Sequence, residues 1–539
     1  MDKGLYIQVL LPLRLSWTPW YLCPDSAIKR GDRVSVFFAR RQYTGTVVLT
    51  APSPEGVEPS KVRPIVKVER SIPPVSEEEL EFWDFLAAYY LCTPGEVYKT
   101  ACPAVRTKGE QGAANLLERL RSRLAIREEA LTKKHRPNVT ARLEAERNAI
   151  AVQIAEVEKS LSAAIAGPGA RKRAYAAPKP ELLWGGGREE KYIELCREAL
   201  SQGLNALVLV PEIAAGEMLG RRFEEAFPGQ ACRVDSRLGP GRRHRIEADL
   251  RSFGAQVIIG TRSALFLPFS RLGLIIVEDE QDIFYKQHEH APRYNARDAA
   301  VMLARIHGAR IVLGTPSPSL ESLFNTEAGK YKLSRTPVQY CPLEIIDIQA
   351  ERKKNGMKGA FSRKLLAGLS RAGGRIALVR GWEKEGELLE AASALLPGRE
   401  VRCLSFQEAR MEGLEDYAAV AVMQADFLLA KDDFRADEHA HQTISLLREL
   451  CCGTLYIQTE RSSHPVFTEA DTLYRKLLDE RREFGMPPYT RIVELKTGGD
   501  TRRIILKPGP GMAAEKASIL SKALAAEPRV HTVIDVDPI

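Results

Sequence analysis

VIIGTRSALF (257–266), LIIVEDE (274–280) and IVLGTPSPSLES (311–322) decide the fold of this 539-residue chain. Each begins with a short apolar run rich in β-branched residues, and LVLVPE (207–212) repeats the pattern earlier in the chain. Stretches with a helical pattern separate these runs. Apolar strands that alternate with helices are typical of a parallel sheet covered on both faces. The pattern therefore predicts an α/β domain.

A Gly-rich loop precedes these strands, in LLWGGGREEKY (182–192). A working phosphate loop needs Gly-rich backbone around the phosphates, then Lys for the β- and γ-phosphates and Ser or Thr for Mg²⁺. No G-K-[ST] tripeptide occurs in the chain. Lys191 is the nearest candidate, but two Glu residues precede it and would repel anionic phosphate. The remnant of a nucleotide site consists of Gly185, Gly186, Gly187 and Lys191.

The composition favours a cytoplasmic protein over a membrane or secreted one. At roughly 150 residues per domain, the chain holds about three or four domains. The net charge of +8 suits a nucleic-acid partner, although it equally suits an ordinary basic protein. No apolar run approaches the length of a membrane span, and the first residues lack a signal-peptide pattern. The nine Cys residues form no C-x-x-C pair, so we expect reduced thiols and no zinc.

The pattern divides the chain into five segments. Residues 1–103 contain short apolar runs between Pro, Gly and Asp turn signals, which is typical of a β-rich domain. Residues 104–180 contain two heptad-like apolar stripes broken near Pro137, which predict a helical hairpin, and then a Gly- and Pro-rich linker. The hairpin is interpreted as a structural spacer, with a contact to DNA or a partner protein as the alternative. The remaining segments are two α/β lobes at 181–345 and 346–480 and a small α+β domain at 481–539.

Several longer motifs follow one another in a fixed order. They are VLLPLRL (9–15), GDRVSVFFARR (31–41), GTRSALFLPF (260–269), YKQHEHAPRYNARDAA (285–300), ADFLLAKDDFRADE (425–438) and ERREFGMPPYTRI (480–492). In this order they resemble the motifs of the primosomal protein N′ (PriA) family, superfamily 2 DNA helicases of replication restart. The resemblance implies a multidomain α/β fold. Its parts are a β-rich N-terminal domain that holds a 3′ DNA end, a helical insert outside the resemblance, two degenerate RecA-like superfamily 2 helicase lobes and a small α+β C-terminal domain.

The chain departs from this family in the motifs that handle ATP. The family's Asp-Glu-Glu-His motif, whose first Asp helps to hold Mg²⁺, is here Glu278-Asp279-Glu280-Gln281. The first two side chains have exchanged lengths, and a misplacement of about 1 Å can cost roughly 100-fold in rate. Pro316 interrupts the coupling motif, SLLRELCCG (445–453) replaces the arginine-finger motif, and the zinc insert is absent. We expect neither zinc nor, unless the altered loop still binds phosphate, ATP and Mg²⁺. No catalytic residue is assigned beyond the acidic remnant Glu278, Asp279 and Glu280.

The features that contact DNA in the family are better preserved. Arg40 and Arg41 follow an apolar strand, and the resemblance implies a pocket with aromatic walls and a basic rim that stacks the terminal base. Trp20 replaces the acidic residue usual in the family, and with Tyr21 it is either a stacking residue or part of the core. An aromatic-rich loop and the Thr261-Arg262-Ser263 turn are expected to contact single-stranded DNA. The predicted DNA-binding residues are Trp20, Tyr21, Arg40, Arg41, Arg262, Tyr285, Lys286, Arg293 and Tyr294.

Two principal functions fit these features. The first is a nucleoid-associated replication restart (primosome) protein that recognises stalled or branched forks and helps to reload the replicative helicase without ATPase activity. Its implied partners are forked or single-stranded DNA, replication restart proteins, single-strand-binding protein and a helicase loader. The second is an active ATP-dependent 3′→5′ DNA helicase, whose loop would bind phosphate through backbone groups alone. A platform for protein interaction is a weaker third hypothesis. Loss of the ATP motifs beside preserved DNA motifs favours the first.

Overall fold

The computed structural model describes residues 5–102, 112–132, 139–140, 142–151, 154, 177–252, 254–430, 433–467, 469–526 and 531–538. Much of the hairpin predicted for 104–166 lies outside the described residues. Within them, the helix Gly112–Leu131 is present, and Leu124 packs against the buried side chains of Ile150 and Ile154. This contact joins the two apolar stripes on either side of Pro137.

The N-terminal part contains one six-stranded sheet. Its strands are β1 (Leu5–Leu10), β2 (Trp20–Cys23), β3 (Arg33–Phe38), β4 (Arg41–Ala51), β5 (Arg63–Pro64) and β6 (Lys67–Val68), in the order β5-β2-β1-β4-β3-β6. Ile7, Val9, Val34, Val36 and Val47 are fully buried at alternating positions of β1, β3 and β4. Because successive side chains of a strand point to opposite faces, this alternation gives the sheet one apolar core face, while the polar residues Arg33, Ser35 and Thr46 are buried on the other.

Two helices, Glu77–Tyr90 and Pro94–Ala101, attach this sheet to the rest of the chain. Each begins with a Ser/Thr-x-x-Glu capping box, in which side chains satisfy the free amides of the first turn. The first helix buries its aromatic residues against lobe 1, where the rings of Phe82 and Phe266 lie 5.8 Å apart between centroids. The β-rich domain therefore packs directly on the first lobe.

Lobe 1 is a seven-stranded parallel sheet in the order β13-β7-β12-β11-β8-β10-β9. Its strands are β7 (Glu181–Trp184), β8 (Asn205–Leu209), β9 (Ala231–Val234), β10 (Val257–Gly260), β11 (Leu272–Val277), β12 (Arg310–Thr315) and β13 (Lys332–Arg335). Its helices are Arg188–Ser201, Ile213–Ala226, Pro240–Arg251, Ala296–His307 and Leu320–Glu327. The Gly-rich loop and the acidic remnant both follow strand ends, so they meet at the carboxyl edge of the sheet, where α/β proteins bind ligands.

Lobe 2 is a five-stranded parallel sheet in the order β14-β20-β19-β17-β18. Its strands are β14 (Leu343–Asp347), β17 (Arg375–Val379), β18 (Val401–Leu404), β19 (Tyr417–Val422) and β20 (Thr454–Thr459), and β15 (Met357–Lys358) pairs with β16 (Phe361–Ser362) in a small hairpin. Its helices are Ile348–Lys354, Arg363–Arg371, Glu385–Leu395, Phe406–Glu412, Ala436–Leu450 and Ala470–Glu483.

The C-terminal part is an antiparallel sheet, β22-β21-β23, with one helix. Its elements are β21 (Arg491–Thr497), β22 (Asp500–Leu506), the helix Met512–Ala526 and β23 (Thr532–Val536). The predicted multidomain α/β architecture, with a β-rich domain first, two parallel lobes and an α+β end, is confirmed. Within the described ranges, every helix is too short or too polar to cross a membrane.

Candidate functional site: the interlobe cleft and the nucleic-acid interface

The Gly-rich loop is packed against the chain's own backbone. Gly185 has φ +144°, and a Cβ atom there would lie 2.0 Å from the carbonyl oxygen of Thr336. The hydroxyl of Thr336 donates a hydrogen bond to the carbonyl oxygen of Gly186 at 2.7 Å. Gly187 (φ +64°) caps the helix Arg188–Ser201. The segment that leaves lobe 1 therefore lies directly beside the remnant loop, and only glycine fits the closest position.

Arg188, the first residue of that helix, occupies the cleft between the lobes and is only 8% exposed. Its guanidinium donates to the carbonyl oxygen of Gly185 at 2.6 Å and to the Glu278 carboxylate at 2.7 Å. It also donates to the carboxylate of Glu449 in lobe 2 at 2.7 Å. One buried cation thus joins the loop, the acidic strand end and the second lobe.

Most carboxylate oxygens of the acidic remnant have partners within the chain, whereas Asp279 Oδ1 is buried without a hydrogen bond. Tyr192 donates to Glu278 at 2.5 Å. Burial alone would raise the pKa of Glu278, but Arg188 outweighs it and holds that pKa below the ordinary value. Burial, together with the neighbouring Glu278, raises the pKa of Asp279. The Glu280 carboxylate accepts bonds from the Ser319 amide at 2.7 Å and from two serine hydroxyls, so it orders the turn after β12.

Lobe 2 closes the other side of the cleft. Arg410 donates to Asp279 at 2.9 Å and pairs with Asp282. Arg188 of lobe 1 therefore pairs with a carboxylate of lobe 2, and Arg410 of lobe 2 pairs with carboxylates of lobe 1. Each guanidinium bridges the two lobes. Lys191, in contrast, is exposed and pairs with Glu194 at 2.7 Å on the outer face of its helix. In this arrangement the Lys191 ammonium serves Glu194, and its place in a remnant nucleotide site stays a prediction.

The residues present do not fit a nucleotide with Mg²⁺. The carboxylate that would hold the metal, Glu278, is already saturated by Arg188 and Tyr192. Glu449 adds a negative charge beside Arg188, at the amino end of the helix that follows the Gly-rich loop, and this charge would repel phosphate. Binding would require breaking these bonds and would leave the Glu449 carboxylate beside phosphate without its cation, which is unfavourable.

A further ion pair joins the lobes and makes their contact sensitive to acid. The carboxylate of Glu321 in lobe 1 lies 2.7 Å from the guanidinium of Arg435 in lobe 2. Burial alone would raise the pKa of Glu321, but Arg435 and Arg297 outweigh it and hold that pKa far below 4.5. A carboxyl with a lowered folded pKa contributes stability above its unfolded pKa and loses it as the pH falls through the folded pKa.

We therefore expect stability to decline in acid partly through Glu321. The measurement is the urea midpoint from about pH 7 to about pH 3, at constant ionic strength, for the wild-type chain and for Glu321→Gln. The Glu321→Gln variant should be less stable than the wild-type chain at neutral pH. It should also lose less stability as the pH falls. Parallel pH curves for the two proteins would contradict this role.

The turn between β3 and β4 carries the N-terminal basic residues. Arg40 has φ +64° and, like Arg41, is exposed. The side chain of neither arginine forms a hydrogen bond or ion pair with another described residue. Trp17 is 58% exposed, with its ring 6.1 Å from that of Phe38, and Phe37 is 51% exposed. Exposed aromatic rings and unpaired cations near this turn suit stacking of bases and neutralisation of phosphates.

Trp17 and Phe37 were missed by the sequence analysis. The signal was available for Phe37, since Val34 and Val36 define the apolar face of β3 and Phe37 lies on the other face, with Arg33 and Ser35. Tyr21, in contrast, is a core residue, as in the alternative stated for it. It is buried, and its hydroxyl donates to the carbonyl oxygen of Phe37 at 3.1 Å. Burial raises the pKa of Tyr21 to about 12. Trp20 is partly exposed.

The predicted DNA contacts of Tyr285, Lys286 and Tyr294 are wrong, because all three side chains are buried. The Lys286 ammonium donates to the carbonyl oxygen of Val536 at 2.6 Å and lies 2.7 Å from the carboxylate of Asp535. The loop therefore ties lobe 1 to the C-terminal sheet. Interleaved aromatic and basic residues look the same in sequence whether they face a ligand or the interior.

The remaining two predicted contacts, Arg262 and Arg293, are partly exposed. Arg262 donates to the carbonyl oxygen of Lys286 at 2.5 Å, and Arg293 donates to the carbonyl oxygen of His288 at 2.9 Å. Each guanidinium helps to hold the 286–294 loop in place and still has surface available to solvent. Their DNA contacts stay predictions.

Comparison with known proteins found matches to the N-terminal domain and to longer stretches of the chain. Residues 8–103 match the family profile of the PriA 3′DNA-binding domain. Replication restart protein PriA of Rickettsia felis is 28% identical over 368 residues, which cover 67% of this chain and 50% of that protein. The PriA of Chlamydia pneumoniae is 38% identical over 189 residues, covering 34% of this chain and 25% of that protein.

Some curated relatives match most of the residues of this chain, and the chain spans about half of their length. Among solved structures, a DEAD box protein from Methanococcus jannaschii is 11% identical with a TM-score of 0.27, covering 57% of this chain and 87% of that chain. The sequence matches confirm the resemblance that the motifs indicate: the chain is PriA-like, a relative of replication restart proteins, and residues 8–103 match the family's 3′DNA-binding domain.

Proposed function

We propose that this chain is a DNA-binding replication restart protein that recognises stalled or branched forks and works without ATP hydrolysis. One observation carries the proposal: the guanidinium of Arg188 lies between the Gly-rich loop, Glu278 and Glu449, in the cleft where the resemblance calls for phosphates and Mg²⁺. The charge on the lobe 2 side of the cleft is reversed relative to an active site. The segment that replaces the arginine-finger motif supplies the carboxylate of Glu449, and this carboxylate pairs with the cation at the loop.

The DNA-binding half of the proposal rests on the N-terminal domain. Its match to the 3′DNA-binding domain of PriA supports recognition of a 3′ end at a fork. Trp17, Phe37, Arg40 and Arg41 provide the exposed aromatic and basic groups that such recognition needs. Because the lobes are bridged by ion pairs, they serve in this proposal as a fixed support for DNA rather than as a motor. Single-strand-binding protein and a helicase loader are the proposed protein partners, within the nucleoid.

A single preparation can test both halves. We expect no DNA-stimulated ATP hydrolysis and no heat of binding when MgATP is titrated into the protein. The same preparation should bind forked DNA with an affinity that falls steeply with salt, because released counterions drive binding to phosphates. DNA-dependent ATP hydrolysis above that of the Arg188→Ala protein would overturn the ATP-independent assignment. Fork binding without salt dependence would overturn the DNA-binding assignment.

A further inference from the structure

Two buried cysteine side chains meet where the chain passes from lobe 1 to lobe 2. Cys341 lies just before β14, and Cys451 directly follows the helix Ala436–Leu450. Both side chains belong to the apolar core of lobe 2. The Cys451 thiol donates a hydrogen bond to the sulfur of Cys341. Folding therefore brings together two thiols that are far apart in sequence.

Backbone hydrogen bonds hold the segments of this pair in place. The amide of Cys341 donates to the carbonyl oxygen of Arg448 at 3.1 Å, in the last turn before Cys451. On the other side, the amide of Leu455 donates to the carbonyl oxygen of Pro342 at 2.9 Å, where β14 pairs with β20. These bonds keep the two cysteines close together, as a disulfide between them requires.

The surroundings of Cys341 favour its thiolate. The hydrogen bond from Cys451 and the nearby Arg448 guanidinium outweigh burial and lower the pKa of Cys341 to about 7. The same hydrogen bond, together with burial, raises the pKa of Cys451, which therefore stays a protonated thiol. Burial also raises the pKa of Cys196 and of Cys403. Because the thiolate is the nucleophile in thiol oxidation, Cys341 is more reactive than these other buried thiols.

The segments that carry the two cysteines also contact lobe 1. The hydroxyl of Tyr340 donates to the carbonyl oxygen of Pro316 in lobe 1 at 3.1 Å. The guanidinium of Arg448 lies 4.4 Å from the centre of the Tyr340 ring. The next residue, Glu449, pairs with Arg188 of lobe 1 at 2.7 Å. A bond between the cysteines would therefore join two segments of lobe 2 through which the lobes meet.

We propose that Cys341 and Cys451 are a site of reversible oxidation, at which hydrogen peroxide converts the two thiols to a disulfide. The Cys341 thiolate attacks the peroxide, the O–O bond breaks, and a sulfenic acid forms while the released hydroxide takes a proton from water. The Cys451 sulfur then attacks the Cys341 sulfur, the S–O bond breaks, and the leaving hydroxide takes the Cys451 proton. Two thiols are oxidised and one peroxide is reduced to water. The inference goes beyond the proposed function and does not depend on it.

The disulfide closes a loop that runs through most of lobe 2. A cross-link across a long loop stabilises a protein mainly by restricting its unfolded chain. It also fixes the end of the helix Ala436–Leu450, and with it Glu449, against the segment that leaves lobe 1. Oxidation therefore stabilises lobe 2 and its contact with lobe 1, and a dithiol reverses the effect by thiol–disulfide exchange.

The test treats the folded full-length chain with hydrogen peroxide, removes the excess with catalase and alkylates the remaining thiols. Tryptic residues 336–352, which contain Cys341, should then appear joined to residues 449–461. The joined mass should be about 2 Da below that of the two reduced peptides together, and dithiothreitol should separate them. Because residues 449–461 also contain Cys452, the digest is repeated with Cys452→Ser, which should keep the cross-link.

Three further variants identify the thiols and their effect on stability. Cys341→Ser and Cys451→Ser should lose the cross-link, whereas the control Cys403→Ser should keep it. Cys403 is a matched residue in lobe 2, since it is 7% exposed and Cys341 is 6% exposed. The urea midpoint of the oxidised wild-type chain should exceed that of the reduced chain. Each variant is compared with its own reduced form, so that a loss of packing caused by the substitution does not enter the difference.

The rate of cross-linking gives a second measurement. With a pKa of about 7, the thiolate fraction of Cys341 rises about 10-fold from about pH 6 to about pH 8, whereas that of an ordinary thiol rises roughly 75-fold. The initial rate should follow the smaller rise. The inference is overturned by absence of the cross-link in the folded wild-type chain, by a cross-link to Cys452 in place of Cys451, by a midpoint change that persists in Cys341→Ser, or by the steeper rise. Each of these results leaves the proposed function intact.

Discussion

Replacement of Arg188 by Ala should destabilise the contact between the two lobes by about 3–5 kcal/mol, because it leaves the carboxylates of Glu278 and Glu449 buried without their cation. The measurement is urea unfolding followed by fluorescence. Trp184 is a reporter in the right place, since it ends β7 directly before the Gly-rich loop and donates to the carbonyl oxygen of Pro316 at 3.0 Å. The midpoint should move to lower urea concentration.

Two comparisons separate this effect from general damage. Lys191→Ala removes an exposed cation from the same helix and should change stability by no more than about 0.5 kcal/mol. Arg188→Met combined with Glu278→Gln and Glu449→Gln removes all three charges together, so it should recover much of the loss. If Arg188→Ala and Lys191→Ala have the same midpoint, the guanidinium does not hold the cleft together.

Replacement of Trp17 by Ala should weaken binding to DNA with a free 3′ end by about 5- to 150-fold, which corresponds to roughly 1–3 kcal/mol for one stacked base. The physical reason is the loss of Trp17, which is more exposed than Phe37, the other exposed aromatic residue near the turn between β3 and β4.

The double variant Arg40→Ala/Arg41→Ala should affect the salt dependence of binding. It should lower the slope of log Kd against log salt by about 1.4 on a single strand, because two phosphate contacts are lost.

Trp382 gives a matched control for the first change. It is 59% exposed, like Trp17, but lies in lobe 2 after β17. Trp382→Ala should therefore keep wild-type affinity for the same DNA. Equal losses for the two tryptophan variants, or a Trp17→Ala protein that binds as the wild type does, would remove the N-terminal surface from the DNA-binding site.

The fold was predictable because it depends on patterns that lie close together in sequence. Apolar runs such as 257–260 and 274–277 became the central strands of a parallel sheet, and the Ser/Thr-x-x-Glu boxes began helices. The exposed positions of Arg40 and Arg41 followed from a turn after an apolar strand. Each of these outcomes is fixed by local geometry and by the burial of apolar side chains.

The loop at 284–294 shows where such reasoning failed. The residue types of this loop singled out Tyr285, Lys286 and Tyr294, but the sequence analysis assigned their aromatic and cationic groups to DNA binding. A buried ammonium can be satisfied by carbonyl and carboxylate oxygens from a distant strand, and here β23, about 250 residues later in the chain, supplies them. No local pattern distinguishes that partner from a phosphate.

The order of residues was enough to predict a two-lobed α/β protein that has lost the lysine and the hydroxyl residue of a phosphate loop. What fills the cleft became visible in the folded chain alone. Arg188 looks like an ordinary first residue of a helix, and Glu449 like an ordinary surface glutamate. They meet because folding brings residues 261 positions apart to 2.7 Å, and a buried guanidinium persists there only when carboxylates from both lobes surround it.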